Sequence, residues 1–288
     1  MADKLAIISD FHMDSNHFSE NELKIFEELL VEKGITHLHF AGDMSNDFHE
    51  ITEPYLHKLN QTIPVSYNLG NHDMLKLSES EIKNCDFTVK KLGNKTLVAF
   101  HGWYDYSFYQ GDTEKIIHLK NNFYFDRKIH RKYDDPTITD KILTRLNQVL
   151  STIQGEIIVV MHFVPSANFI ISSEYEKFTR FNAFLGSTRF HELFKQYPNI
   201  SQVIFGHIHH RFEPTTIENV SYQARPLGYT YEWELVNKFF KKNPEFQISE
   251  SRHLRKRYHH VKNLPEWLEF KKEHLAEEFQ SALTIIEF

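Results

Sequence analysis

A chain of 288 residues with 41% hydrophobic and 25% charged residues has the length for a substantial core and the composition of neither a disordered nor a fibrous protein. Its net charge of −6 argues against wrapping nucleic acid or hugging an anionic membrane through the global field, and its single cysteine, Cys85, excludes an intrachain disulfide framework and a thiolate metal cage. No stretch has the length of a membrane-spanning apolar run, and MADKLAIISD passes straight into a strand, so the chain is expected in the cytoplasm and off the membrane. Nineteen histidines stand out against this ordinary background.

In chain order, Lys4–Ser9 reads as a buried strand that stops at a polar cluster beginning with Asp10. Ser19 and Glu22 have the spacing of a capping box, followed by Leu23, Phe26 and Leu30 at helical spacing and by Gly34 as a stop. His37–Ala41 reads as a second strand ending at Gly42-Asp43, Phe48–Leu59 as a helix, and Pro64–Leu69 as a third strand ending at Gly70-Asn71-His72-Asp73. Strand, polar tip, helix, strand, polar tip is the grammar of an α/β fold whose reactive residues gather at the carboxyl ends of its strands.

From Phe87 the grammar changes. Phe87–Val89 and Thr96–His101 flank Leu92-Gly93-Asn94-Lys95, which predicts a hairpin. Residues 103–135 are aromatic-rich and read as an irregular cap-like insertion in a single domain spanning 1–288. Ile142, Leu146, Val149, Leu150 and Ile153 mark an amphipathic helix with Thr139 as its cap, and Gly155 ends it. Glu156–Met161 is a buried strand ending at His162; Arg189–Tyr197 is expected helical, and Gln202–Phe205 is strand-like before Gly206-His207-Ile208-His209-His210. In extended chain His207 and His209 share a face and His210 opposes them. Val220–Leu235 reads as terminal strands. Pro265–Leu283 reads as a helix with Trp267, Leu268, Leu275 and Phe279 on its apolar face, ahead of a closing strand.

Five of the strand ends carry metal-compatible groups: Asp10-Phe11-His12, Gly42-Asp43, Gly70-Asn71-His72-Asp73, His162 and Gly206-His207-Ile208-His209. One D-x-H after a strand is a common cap or turn; five blocks in this order answer to no packing or turn requirement. The set resembles the calcineurin-like metallophosphoesterases, whose ordered signature is D-x-H, G-D, G-N-H-D/E, H and G-H-x-H. That resemblance implies a four-layer α/β/β/α sandwich of two mixed sheets flanked by helices. Carried over position by position, it implies that Asp10, His12 and His209 hold one metal ion, that Asn71, His162 and His207 hold a second, and that Asp43 bridges both. Imidazole and carboxylate or amide oxygen donors suit Mn²⁺ or Fe²⁺, with Zn²⁺ also accommodated. A shared carboxylate lets two cations sit roughly 3.5–4 Å apart with solvent between them, and that solvent, as hydroxide, is the implied nucleophile. His72 has no metal role in the pattern and is expected to protonate the leaving group or to bind a phosphoryl oxygen.

The reaction this implies is hydrolysis of a small phosphodiester or phosphomonoester; a nuclease acting on DNA or RNA and a metal-binding scaffold without turnover are the alternatives. Where protein phosphatases continue the second block as G-D-x-x-D-R, this chain has GDMSND, with Asn46 at the position of the Asp that orients the catalytic histidine. Protein phosphatase activity is therefore not expected, and Asn46 instead resembles the diesterase branch, where this residue contacts the phosphoryl group. His37 and His39 are read as packing residues, and His101 as a residue at the substrate mouth or in the core. The basic run 252–260 is read as a solvated face, given the acidic total, and not as a nucleic-acid track. The aromatics from Trp103 to Phe125 either shape the pocket or bury the insertion.

Overall fold

Continuous apolar runs such as Leu5–Ile8 and Ile157–Met161 build central strands that are buried on both faces. A computed structural model describes residues 3–172, 179–248 and 252–288. The strands are β1 (Lys4–Ile8), β2 (His37–Ala41), β3 (Val65–Asn68), β4 (Thr88–Leu92), β5 (Lys95–Phe100), β6 (Glu156–Met161), β7 (Ile200–Phe205), β8 (Phe212–Ile217), β9 (Val220–Ala224) and β10 (Thr284–Glu287). They form one sheet in the order β10-β1-β2-β3 and another in the order β4-β5-β6-β7-β9-β8. Within them β1-β2-β3 and β5-β6-β7-β9 run parallel, while β10, β4 and β8 pair antiparallel at the edges.

Successive residues of a strand point to opposite faces, and each face finds its own layer. Leu5 and Ile7 of β1 meet Leu97, Ala99, Ile158, Val160 and Ile204 of the other sheet, which makes the layer between the sheets. The opposite faces carry Ala6, Ile8, Leu38 and Phe40 against helices α1 (Glu20–Glu32), α2 (Glu53–Leu59), α7 (Glu234–Lys242) and α9 (Pro265–Ala282). On the far side Val98, Phe100, Val159, Met161 and Val203 pack on α5 (Asp135–Ser151) and α6 (Thr188–Phe194). The result is the α/β/β/α sandwich. Strands covered on both faces read as continuous apolar runs, which is why they were visible in the sequence. Ile158, fully enclosed between the sheets, gives a direct test: Ile158→Ala is expected to cost roughly 2–5 kcal/mol in urea unfolding, from lost burial and the residual cavity.

The first helix begins as the sequence predicts, with Ser19 and Glu22 satisfying each other's backbone N–H groups and Gly34 adopting φ +65° beyond the last turn. Several expectations need correction. α5 starts at Asp135, capped by the Asp134 side chain on the Thr137 N–H; Thr139 lies inside the helix and its hydroxyl donates to the Tyr104 carbonyl. Proline at the second helical position needs no N–H partner, and that allows the earlier start. Strand ends at Ala224, not Leu235: the chain then makes a 3₁₀ turn at Thr230–Glu232 and enters α7. Leu268 points outward and is 54% exposed, one position off the buried stripe of Trp267, Phe270 and Leu275. Residues 103–135 are not irregular throughout, for they contain α4 (Thr113–Phe123) capped by Asp112 and a 3₁₀ turn at Phe125–Lys128. Two further short helices among the described residues are α3 (Glu79–Asn84) and α8 (Leu254–Val261), the latter carrying the basic run on a largely exposed surface. No described helix is long and apolar enough to cross a membrane.

Candidate metal centre

Parallel strands β1, β2, β6 and β7 bring their carboxyl ends to one rim where the two sheets meet, and the loops there are cross-tied. The Asp10 N–H donates to Gly42 O (3.0 Å) and the His12 N–H to Asp43 O (2.9 Å). Five rim residues, Asp10, His12, Asp43, His207 and His209, adopt positive φ (46° to 70°). L-residues avoid this region, and strain of this kind concentrates at functional sites. Strand β7 has ended at Phe205, so His207 and His209 reach the rim through left-handed turns and not through the strand alternation that the sequence suggested. Two glycines are sterically required. A Cβ on Gly70 would stand 2.1 Å from Asp43 Oδ1, and one on Gly206 would stand 2.4 Å from Asp10 Oδ2.

All eight residues singled out in the sequence converge. Asp10, His12, Asp43 and His209 offer ligand atoms within 4.8 Å of one another, and Asp43, His162 and His207 form a second such group, with Asp43 common to both. Asn71 joins the second through its Oδ1, 3.2 Å from His162 Nε2. The outer nitrogens of three rings face acceptors only: His162 Nδ1 donates to Ala41 O (3.1 Å), His207 Nε2 to Phe184 O (3.2 Å) and His209 Nδ1 to Glu232 Oε2 (2.8 Å). The inner nitrogens of the neutral rings therefore carry lone pairs. His162 Nε2 faces His207 Nδ1 at 3.2 Å, and His209 Nε2 faces His12 Nε2 at 3.1 Å. Lone pairs aimed at one another beside buried carboxylates call for cations between them, so this donor set fits divalent metal ions.

Proton equilibria show the same excess of negative charge. Burial alone would raise the Asp10 carboxyl, yet the hydrogen bond and charge of His209 hold it at about 2. Burial disfavours charge on His162, but Asp43 overrides it and lifts that imidazole to about 9. His207, buried and beside His162, falls to about 3. Two wholly buried carboxylates thus recruit protons onto neighbouring rings, a place that bound cations would take.

Residues behind the ligand groups were harder to foresee. Asp126 accepts from Asn71 Nδ2 (2.8 Å), which turns the amide oxygen toward His162. Burial raises the Asp126 carboxyl to about 7, against the pull of that hydrogen bond. Asp73, the last residue of the third block, accepts from the N–H groups of Asp43 (2.7 Å), Met44 (2.9 Å), Ser45 (3.2 Å) and Gly70 (2.8 Å), and so clamps two rim loops together. A buried carboxylate with this many backbone donors was hinted at by its place in the motif; Asp126, deep in the insertion, gave no local signal. Asp126→Ala is expected to weaken binding of the second ion about 10- to 100-fold in a Mn²⁺ titration, with Asp126→Asn retaining the acceptor and losing less.

His72 stands at the mouth. Its Nδ1 lies 2.8 Å from Asn46 Oδ1, and the Asn46 amide N–H₂ in turn donates to Asp14 Oδ2 (2.8 Å). That chain fixes the tautomer with the proton on Nδ1 and turns Nε2 toward Asp43 Oδ2 (3.9 Å) and Tyr229 Oη (3.4 Å). Asn46 therefore holds His72 from the position at which protein phosphatases carry the orienting Asp. Phe125 stacks on the His72 ring with centroids 4.0 Å apart, and Tyr229 stacks on His12 at 4.5 Å. Of the insertion aromatics, Trp103, Tyr104, Tyr106 and Phe108 are buried in the core while Phe125 alone stacks on His72; Phe123 is exposed. His37 and His39 pack as expected, bonded to Ser66 and, for His39, to Asn68. His210 is exposed against Phe212. His101 is buried and lines a cavity apart from the rim.

A family model for calcineurin-like phosphoesterases matches residues 4–211, and the chain belongs to that family. It is accordingly a metal-dependent phosphoesterase, of a family that works through dinuclear metal centres. Among solved structures, phosphopantetheinyl hydrolase from Mycobacterium tuberculosis superposes with a TM-score of 0.61 at 17% identity, over 81% of this chain and 92% of that one. A dimetal phosphatase from Danio rerio gives 0.49 at 11% identity, over 78% and 87% of the two chains. A purple acid phosphatase from yellow lupin gives 0.45 at 10% identity, over 78% and 44%. No curated protein sequence matches the chain.

Proposed function

We propose that this phosphoesterase hydrolyses small phosphorylated molecules at a centre of two divalent ions, one held by Asp10, His12 and His209, the other by Asn71, His162 and His207, with Asp43 between them. The observation that carries this reading is the pair of ligand groups sharing Asp43, with the inner nitrogens of four histidines turned on one another. Manganese and iron suit the all-nitrogen-and-oxygen donor set best, and zinc is compatible with it. The ions would supply positive charge for the phosphoryl oxygens and acidify solvent so that a nucleophile exists at neutral pH. Asp43 Oδ1 accepts from the His72 N–H (2.8 Å), which leaves Oδ2 to face the centre. His72, its Nδ1–H held by Asn46, presents Nε2 on the open side and, as the imidazolium carrying a second proton there, donates that proton to the departing oxygen and returns to the neutral ring. Phe125 and Tyr229 wall the approach, and the 103–135 insertion serves as a cap on the Phe125 side.

The test is hydrolysis of bis(p-nitrophenyl) phosphate and p-nitrophenyl phosphate by chelator-stripped protein, with and without Mn²⁺. Turnover that depends on added metal is expected, and the ratio of the two rates assigns diester or monoester preference. Metal-independent turnover, or none on either compound with two ions bound per chain, would overturn the reading.

A further inference from the structure

A second cavity, of about 560 Å³, opens between α3, the start of α5 and residues 131–133, and none of the eight rim residues lines it. Its volume is that of a small-molecule pocket. The walls are cationic. Lys83 comes from α3, Lys132 from the loop, and Lys141 and Arg145 from successive turns of α5. Among the described residues, none of these four has a carboxylate within ion-pair distance. Lys141 and Arg145 instead lie over the rings of Tyr133 (4.4 Å) and Phe87 (4.4 Å), which props their charges at the opening. A fifth cation, Arg131, is held by Glu79 (2.9 Å) and so contributes shape more than free charge.

The floor is apolar, made by Ile82, Ile138 and Ile142, with two polar side chains set into it, Asp86 and His101. His101 is 2% exposed, and its Nε2 has no hydrogen-bond partner. Its Nδ1 lies 2.8 Å from Asp86 Oδ1, which also accepts from the His101 backbone N–H (3.1 Å). Buried polar atoms in folded proteins are normally paired, so the unpaired His101 Nε2 beside a cation-ringed cavity marks a place where a ligand atom belongs. Four unpaired cations around an apolar floor select for a molecule that is anionic at one end and apolar at the other. We propose that this cavity is a second ligand site, separate from the metal centre, for a small organic phosphate: the lysines and Arg145 take the phosphate oxygens, the isoleucine floor takes the apolar body and His101 takes one hydrogen bond.

Calorimetric titration of the manganese-loaded protein with α,β-methylene-ADP, whose bridging carbon resists hydrolysis, tests this. Wild-type protein is expected to bind the probe at one site that persists after chelator treatment, beyond any binding at the metals. Lys141→Glu combined with Arg145→Glu should weaken that event about tenfold or more while turnover of bis(p-nitrophenyl) phosphate is unchanged. Lys83→Glu, on the opposite wall, gives an independent reading should the double variant not fold. Adenosine without phosphates is expected to bind far more weakly. An isotherm untouched by these substitutions, a lack of any metal-independent site, or adenosine binding as tightly as the diphosphonate would each overturn the proposal.

Discussion

Asp43→Asn is expected to lower turnover by about 10³-fold or more, with metal content by mass spectrometry falling below that of the wild type. The two carboxylate oxygens have different tasks. Oδ1 accepts from the His72 N–H at 2.8 Å, while Oδ2 faces His162 at 3.3 Å and His12 at 3.8 Å. An asparagine must keep its oxygen on the His72 N–H, so its amide N–H₂ would point into the centre. A donor then stands where both ligand groups need an acceptor, and the negative charge that balances two cations is gone. Retention of full metal content and rate by this variant would remove Asp43 from the bridging position.

His72→Ala is expected to lose about 10²- to 10⁴-fold in turnover with its metals still bound. His72 makes no contribution to either group of ligand atoms, so binding of the ions is separable from proton donation. The loss should be largest for alkyl phosphates, whose leaving oxygen needs a proton, and smallest for p-nitrophenyl esters, whose phenolate leaves unaided. A uniform loss across leaving groups would mean that His72 binds the phosphoryl oxygen instead. Asn46→Ala should shift turnover the same way and by less, because it frees the ring that Asn46 and Asp14 hold in register.

Much of this centre was legible because its residues punctuate strands. Apolar runs such as Lys4–Ile8 and Glu156–Met161 are buried on both sides, and the polar residue that ends each run falls at the rim by construction. The same logic failed where the periodicity was weak. Residues Val220–Leu235 contain aromatic and β-branched residues that read as strand, yet Trp233 caps α7 and Leu235 lies inside it, where the buried stripe of Leu235, Val236, Phe239 and Phe240 decides the matter. Residues 103–135 hid α4 because only Ile116 of that helix is buried, so almost no hydrophobic pattern marks it.

The sequence by itself determined the α/β alternation, the order of the strand-end blocks and the identity of the residues that gather there, since burial periodicity and residue chemistry are local properties; the two-sheet architecture was implied by the family those blocks resemble. Only the tertiary structure decided how those residues are aimed. Left-handed turns, not strand alternation, deliver His207 and His209. Asp126, from 55 positions away in sequence, sets the Asn71 amide, and Asn46 holds the His72 ring. The physical reason is common to all three. A hydrogen bond or a backbone conformation that orients a side chain depends on partners brought together by folding, and no spacing within one segment encodes them.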